Sequence, residues 1–151
     1  MNWKLVLAGL AVVVGAGFAV MAHAQSPEAL VKQRQAKMIL QVKYLGPLVA
    51  MAQGKVPFNA EIAAQNARYL DVLEEMAWDG FHASTKDVQS RALPAIWEEP
   101  DKFKAAQQNL QSAINTLVVA SKTGDEAKVK AAVPAVGKAC GTCHDNFREK
   151  R

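Results

Sequence analysis

Cysteine is scarce in this chain, and strand patterns are missing from it. The sequence holds two cysteines and three histidines, too few to supply the second Cys or His pair of a four-ligand zinc site. No stretch alternates apolar and polar residues as half-buried strands do, and no internal repeat or low-complexity tract occurs. Basic residues are scattered among acidic ones without interleaved aromatics, which argues against a nucleic-acid partner. The formal net charge of +4 favours weak encounters with acidic partners.

The two cysteines stand together near the C-terminus, in the stretch Cys140-Gly141-Thr142-Cys143-His144. Two thiols separated by two residues and followed by histidine have the spacing for covalent attachment of haem c, one per chain. Helix positions i, i+3 and i+4 share one face, so thioether bonds to both cysteines leave His144 able to reach the iron as proximal ligand. A thioredoxin-like redox pair shares the Cys-x-x-Cys spacing but needs a βαβ setting, which the sequence lacks.

Residues 1–24 have the features of a secretory signal peptide. Lys4 precedes an apolar run from Leu5 to Val20, and Ala22-His23-Ala24 fits the small-x-small cleavage site. Cleavage after Ala24 would leave residues 25–151 as one domain without membrane insertion and lower the formal net charge to +3. The alternative is an uncleaved anchor, although the run is short for a membrane span. No paired arginine precedes the run, so we expect export of an unfolded chain to the periplasm rather than twin-arginine export, with haem attached after translocation.

Four segments of the remaining chain carry apolar residues with the period of an α-helix. They run from about Pro27 to Gln53, from an N-cap at Asn59 to about residue 78, from Pro100 to Gly124, and from a cap at Asp125 through the haem motif. The predicted inward stripes are Leu30, Met38, Val42, Leu45 and Val49; Ile62, Asn66, Leu70, Leu73 and Ala77; Phe103, Leu110, Ile114, Leu117 and Ser121; and Val129, Val133, Val136, Cys140, His144 and Phe147.

The connections between these segments are short, except for a loop over residues 79–98 that is either functional or locally ordered. The pattern therefore predicts an all-α fold, an antiparallel up-down-up-down four-helix bundle. Because the haem motif continues the inward stripe of the last segment, haem c is expected inside the bundle on the C-terminal helix.

Arg34 lies on the same stripe as Leu30 and Met38, where a charge is costly unless it is paired. A haem propionate is the natural anion, and a guanidinium binds a carboxylate bidentately. The alternative places Arg34 at the edge of the stripe, with its side chain reaching solvent. Gln35 is a second predicted propionate donor, and Arg91 in the long loop is a third.

These motifs together resemble the cytochrome c′ family, the class II c-type cytochromes. The resemblance covers the chain after the signal peptide, and Cys140, Cys143, His144 and Arg148 match the attachment site, the proximal ligand and a neighbouring basic residue. The other matching stretches are Arg34, Gln35 and Met38, the turn Val56-Pro57-Phe58-Asn59, Trp78, and Pro94-Ala95-Ile96-Trp97.

The resemblance implies periplasmic redox partners, small gaseous ligands and a homodimer formed through the first two helices. In the sequence itself, Leu40, Tyr44 and Leu48 offer a second apolar strip for such a dimer, and a monomer is the alternative. Lys138, Arg148, Lys150 and Arg151 surround the haem motif, where they either steer a redox partner or form a solvated helix end.

Met38 decides how the haem is used, because the resemblance points it at the distal face. In high-spin family members an apolar side chain packs over a five-coordinate iron there, and NO or CO enters the pocket. In low-spin relatives a methionine from this part of the helix binds the iron through sulfur. Since a buried methionine more often packs than ligates, we expect a five-coordinate haem; a low-spin carrier with His144 and Met38 as ligands is the alternative.

A haem enzyme such as a peroxidase is a third possibility from another class. Peroxidase chemistry needs a distal acid or base that moves protons, and Met38 with apolar neighbours offers none, so we expect no enzymatic activity. Met51 and Met76 lie nearer helix ends and are weaker candidates for an iron ligand than Met38. His82 falls in the long loop and is not an expected ligand.

Overall fold

The computed structural model describes residues 25–150, and the predicted signal peptide lies outside them. Its α-helices are α1 (Pro27–Ala52), α2 (Ala60–Ala77), the short α3 (Ala95–Glu98), α4 (Pro100–Lys122) and α5 (Glu126–Phe147). The four long helices form a ring in which α1 packs on α2, α2 on α4, α4 on α5, and α5 on α1. The predicted four-helix bundle is therefore confirmed. Within the described residues no helix combines the length and hydropathy of a membrane span.

The helix ends follow the capping signals of the sequence. Side-chain oxygens of Ser26, Asn59 and Asp125 accept hydrogen bonds from the backbone N–H three residues on, at the starts of α1, α2 and α5. These bonds satisfy N–H groups that have no partner within the helix. Gly54 and Gly124 follow the ends of α1 and α4 with φ of 69°, a left-handed conformation that side chains disfavour. The predicted caps at Asn59 and Asp125 are confirmed.

The inward faces of α4 and α5 are as predicted, whereas α1 and α2 differ at three positions. In α1 Val42 is 70% exposed, and the neighbouring Gln41 is buried in its place. Leu48 is fully buried, so it cannot belong to an outer apolar strip. In α2 Ile62 is 45% exposed. The reason is geometric. Arg34, Gln41 and Leu48 follow one another at intervals of seven residues, which places them in one row along α1, and the helix buries that row whatever its polarity.

The long connection between α2 and α4 is locally ordered. It contains two 3₁₀ turns, Trp78–Phe81 and Ala83–Thr85, and then α3. Its last part pairs with the end of α5 in an antiparallel bridge between Ala92 and Arg148. Leu93 N donates to Phe147 O at 3.0 Å, which fastens the loop to the helix that carries the haem motif.

Two clusters of buried side chains fill the bundle. The aliphatic cluster spans all four long helices and comprises Leu48, Met51, Ala63, Ala67, Leu70, Leu110, Ile114, Leu117, Val118, Ala120, Val129, Ala132, Val133 and Val136. The aromatic cluster lies where the long loop meets α4 and α5; it comprises Ile96, Phe103 and Phe147, with Trp78, Phe81, Trp97 and Cys143 among the residues packed on them.

Candidate haem site

The three residues of the haem motif lie in the last two turns of α5 on its inner side. Cys140, Cys143 and His144 are each half-buried. Cys140 packs against the aliphatic cluster, and Cys143 packs against the aromatic cluster. No disulfide joins the two cysteines. The unbroken helix therefore presents two thiols and one imidazole where the two clusters meet.

Before haem is attached, burial sets the protonation state of the two thiols and the imidazole. It raises the pKa of the Cys143 thiol to about 11; Cys140 raises this pKa further, whereas the positive charge of Arg148 lowers it. Burial also raises the pKa of Cys140. The pKa of His144 is lowered, first by burial and then by Arg148, with Arg91 adding to the effect and Asp145 opposing it. At neutral pH the imidazole is therefore neutral, the form that can bind a metal ion.

Arg34 of α1 is 3% exposed, so the alternative in which its side chain reaches solvent is wrong. Its Nη1 donates to Gly80 O at 2.7 Å and to Thr85 Oγ1 at 3.3 Å, and its Nη2 donates to Ser90 Oγ at 2.8 Å. The guanidinium also lies 4.6 Å from the centre of the Phe81 ring. Each of these partners is uncharged, and among residues 25–150 Arg34 forms no ion pair with a carboxylate.

Gly80 allows this arrangement, because the loop backbone lies against α1 at that position. A Cβ on Gly80 would lie 2.5 Å from Arg34 Cβ and 2.9 Å from Leu30 O. Neither atom is the free end of a side chain, so only glycine fits without a backbone shift. The position joins the long loop to the helix that carries Arg34 and Met38.

The remaining predicted site residues are placed less deeply. Met38 is half-buried on α1, and Gln35 is exposed. The Arg91 guanidinium donates to Glu149 O, and Glu149 N donates back to Arg91 O at 2.9 Å, so Arg91 fastens the C-terminal segment to the loop. The assignment of Arg34, Gln35 and Arg91 to propionates stays a prediction, as does the distal position of Met38.

Two buried polar groups of α1 and α2 lie outside the predicted inward stripes. Gln41 is 8% exposed and Glu74 is 2% exposed. Glu74 Oε1 accepts a hydrogen bond from Trp78 Nε1 at 2.7 Å, and burial raises the pKa of its carboxyl group. Only the heptad spacing of Gln41 from Arg34 could have singled it out in the sequence, and nothing in the local sequence marks Glu74 as buried.

The donor set suits a cofactor that brings its own metal. Within the described residues, no three His, Cys, Asp or Glu side chains gather to hold a metal ion by themselves. Cys140 and Cys143 provide two attachment points, and His144 provides one neutral ligand. Arg34 adds a buried cation without a carboxylate, which an acidic edge of the cofactor would neutralise. These residues fit a covalently bound haem.

Fold and site together define a four-helix-bundle c-type haem protein with its attachment motif in the last helix. The family model described as Cytochrome C′ matches residues 29–148. Cytochrome c′ of Rubrivivax gelatinosus is 40% identical over 83% of this chain and 98% of its own. The chain therefore belongs to the cytochrome c′ family and carries covalently attached haem c.

Solved structures agree with this assignment. The crystal structure of Rubrivivax gelatinosus cytochrome c′ matches with a TM-score of 0.80 at 39% identity, covering 83% of this chain and 98% of that one. A ferrous variant of Alcaligenes xylosoxidans cytochrome c prime with bound NO matches with a TM-score of 0.80 at 32% identity, covering 85% and 99%. A carbon-monoxide-bound variant from the same source matches with a TM-score of 0.78 at 34% identity, covering 83% and 98%.

Proposed function

We propose that this protein is a periplasmic electron-transfer protein that binds NO and CO at a five-coordinate, high-spin haem. Haem supplies an iron that changes oxidation state and accepts small neutral ligands. The observation that carries the proposal is the shortage of a second nitrogen ligand: His82, the other described histidine, is exposed and its Nδ1 lies 2.9 Å from Ser84 Oγ. The NO-bound and CO-bound relatives of the same fold support gas binding.

Met38 is the side chain on which the alternative depends. Met51 belongs to the aliphatic cluster and its sulfur accepts a hydrogen bond from Asn59 N at 3.3 Å, whereas Met76 is 47% exposed on α2. Of the described methionines, only Met38 shares a helix face with the buried Arg34. The second candidate function is therefore a low-spin electron carrier with His144 and Met38 as axial ligands.

A visible spectrum of the reduced holoprotein, with and without CO, separates the two functions. The proposed five-coordinate haem gives a high-spin spectrum that CO changes, whereas a sharp, split α band that resists CO would establish the low-spin carrier. Met38→Ala is the matching variant, and Met76→Ala is its control because Met76 is exposed. In the low-spin case Met38→Ala alone becomes high-spin and gains CO binding.

We propose further that the protein has no enzymatic activity. A peroxidase needs a distal group that gives and takes protons, and the described groups beside Met38 on the α1 face are the permanently charged Arg34 and the amide of Gln41. Turnover of hydrogen peroxide well above the rate of free haem would contradict this.

Electron exchange with an acidic partner protein is proposed at the end of α5. A groove of about 820 Å³ between α4 and α5 is open to solvent and is lined by Cys143, Phe147, Lys138 and the ion pair of Lys102 with Glu99. Arg148 and Lys150 are also exposed near it, whereas Arg151 lies outside the described residues. Exchange that slows as the salt concentration rises would support steering by these charges, since salt screens surface attraction.

A homodimer through α1 and α2 is proposed on a revised surface. The outer sides of these helices expose Ile39 (69%), Val42 (70%), Val72 (55%) and Met76 (47%), and Tyr44 and Tyr69 join the helices with ring centres 4.6 Å apart. Light scattering of the holoprotein should give twice the chain mass, and Val42→Lys should give the monomer. Val119→Lys on α4, where the side chain is 65% exposed, is the control.

Export to the periplasm and cleavage after Ala24 complete the proposal. The half-buried thiols support it indirectly: in the folded chain their raised pKa values leave little thiolate at neutral pH, so attachment is expected while the exported chain is still unfolded. Cell fractionation and N-terminal sequencing test this. The expected mature chain begins at Gln25; a chain that retains Lys4 in the membrane fraction would establish the anchor instead.

A further inference from the structure

Gln41 is an unusual member of the buried face of α1, because its amide nitrogen has no partner. Its side chain is 8% exposed. Among the buried side-chain nitrogen and oxygen atoms of residues 25–150, Gln41 Nε2 stands alone in lacking a hydrogen bond. Leaving a buried donor unpaired is costly, and folded proteins supply a partner for nearly all of them.

The heptad neighbour of Gln41 shows the contrast. Arg34 lies seven residues earlier on the same face, and its two terminal nitrogens are occupied by Gly80 O, Thr85 Oγ1 and Ser90 Oγ. No comparable acceptor of the described chain reaches Gln41 Nε2. The face therefore carries one satisfied polar group and one donor that is free for a partner outside the chain.

Helix geometry places this donor beside Met38. The two residues are three apart, which puts them on the same side of α1 one turn from each other. Long side chains in a helix lean back toward its N-terminus, so the Gln41 side chain covers the turn in which Met38 lies. If Met38 faces the distal side of the haem, Gln41 borders the same pocket.

We propose that Gln41 is a specificity-determining residue of this pocket, and that its Nε2 donates a hydrogen bond to the outer atom of a diatomic ligand on the haem iron. The inference rests on the proposed five-coordinate haem. A ferrous iron shifts electron density onto such a ligand, so an N–H donor next to the outer atom stabilises the bound form. A carboxamide donates without releasing a proton. Gln41 therefore favours binding and offers no acid catalysis.

The test compares CO adducts of the reduced holoprotein in the wild type, Gln41→Leu and Gln41→Met. Both substitutions fill the buried space and remove the donor. We expect the C–O stretching frequency to rise in both variants, because less electron density is drawn onto the ligand. The CO dissociation rate should increase about two- to tenfold, the value of one neutral hydrogen bond. Gln111→Leu, at an exposed position of α4, should change neither quantity.

The outcomes separate this inference from the proposed function. If the wild type binds no CO, the proposed five-coordinate haem is wrong, and the proposed role of Gln41 is lost with it. A wild type that binds CO, with the same stretching frequency and dissociation rate in both Gln41 variants, leaves the proposed function intact and overturns the role of Gln41. Shifts in both Gln41 variants but not in Gln111→Leu support it.

Discussion

The bundle has an aliphatic end, which contains the aliphatic cluster, and a polar end, which contains the aromatic cluster and its buried polar neighbours. Different interactions hold the two ends together. The aliphatic cluster consists of Val, Leu, Ile, Ala and Met side chains from all four long helices, and hydrophobic burial is enough to hold them. The aromatic cluster is accompanied by the buried polar groups Arg34, Glu74 and Thr85, each held by a specific hydrogen bond. One end can be made by any sequence with the right apolar period. The other requires particular residues from distant parts of the chain.

The haem motif lies at the boundary between the two ends. Cys140 packs on the aliphatic cluster and Cys143 on the aromatic cluster, so the motif straddles the boundary. We therefore expect the aliphatic end mainly to hold α5 in position, and the buried polar groups of the other end to influence the properties of the haem.

Damage to the aliphatic end alone should destabilise the fold and leave the haem unchanged. Leu117 is fully buried there, and Leu117→Ala should lower the free energy of unfolding by about 2–5 kcal/mol through lost burial and a cavity. The visible spectrum of the haem should stay as in the wild type. Urea denaturation and absorption spectra of the holoprotein measure both. Val119→Ala, two residues on and exposed, is the control and should change stability by less than about 0.5 kcal/mol.

A spectral change in Leu117→Ala would contradict the separation, because it would show that the apolar packing is transmitted to the haem.

Gly80→Ala tests the other end. The added Cβ would lie 2.5 Å from Arg34 Cβ, so the loop and α1 must move apart. Such overpacking should cost about 1–3 kcal/mol of stability. Because Arg34 Nη1 is bound to Gly80 O, the guanidinium should move too, and the haem spectrum or reduction potential should shift with it.

The matched control for this variant is Gly46→Ala within α1, where an added Cβ meets no atom of another part of the chain within 4 Å. There the gain in helix propensity is opposed by contact between the new Cβ and the ring of Pro47, so stability should change by less than in Gly80→Ala and the haem should stay unchanged. If Gly80→Ala also left the haem spectrum and potential unchanged, the link from the loop through Arg34 to the cofactor would be lost.

The same division decides how much could be predicted from the sequence. The inward faces of α4 and α5 follow from apolar periodicity, and the caps Asn59 and Asp125 follow from local capping chemistry. Periodicity failed on α1, where hydrophobicity favoured Val42 and the helix buries Gln41. Apolar periodicity cannot identify a buried polar residue. The burial of such a residue depends on the register of the helix and on a hydrogen-bonding partner, and neither is visible in the apolar pattern.

The partners of Arg34 were beyond prediction for a different reason. Gly80, Thr85 and Ser90 lie 46, 51 and 56 residues after it, in a loop without helical periodicity. Its burial could be argued from its place on the stripe, but the fold of the loop that supplies the oxygens could not. Contacts of this kind depend on tertiary packing and on the one glycine that allows the close approach.

Glu74→Gln is expected to have the smallest effect, because it changes a single proton-binding group at the polar end. Burial raises the pKa of Glu74 in the folded chain above its ordinary value of 4.5, more than the Trp78 hydrogen bond lowers it, and Glu75 and Asp71 raise it further. The folded state therefore binds the proton more tightly than the unfolded state does. Its contribution to stability is complete below pH 4.5 and is lost as the pH rises through the folded pKa.

Glutamine keeps an oxygen that can accept from Trp78 Nε1 and does not titrate. As the pH rises from 4.5, the wild type should lose stability that Glu74→Gln keeps, so the difference between their free energies of unfolding should grow in favour of the variant. Urea titrations of the holoprotein at several pH values measure this difference. Glu61→Gln, an exposed carboxylate of the same helix, controls for the loss of one charge from α2. If the two variants gave the same pH curve, the buried site of Glu74 would not be the cause. In that case the hydrogen bonds of the polar end would stabilise the fold, and the burial of the Glu74 carboxylate would make no separate contribution to its pH dependence.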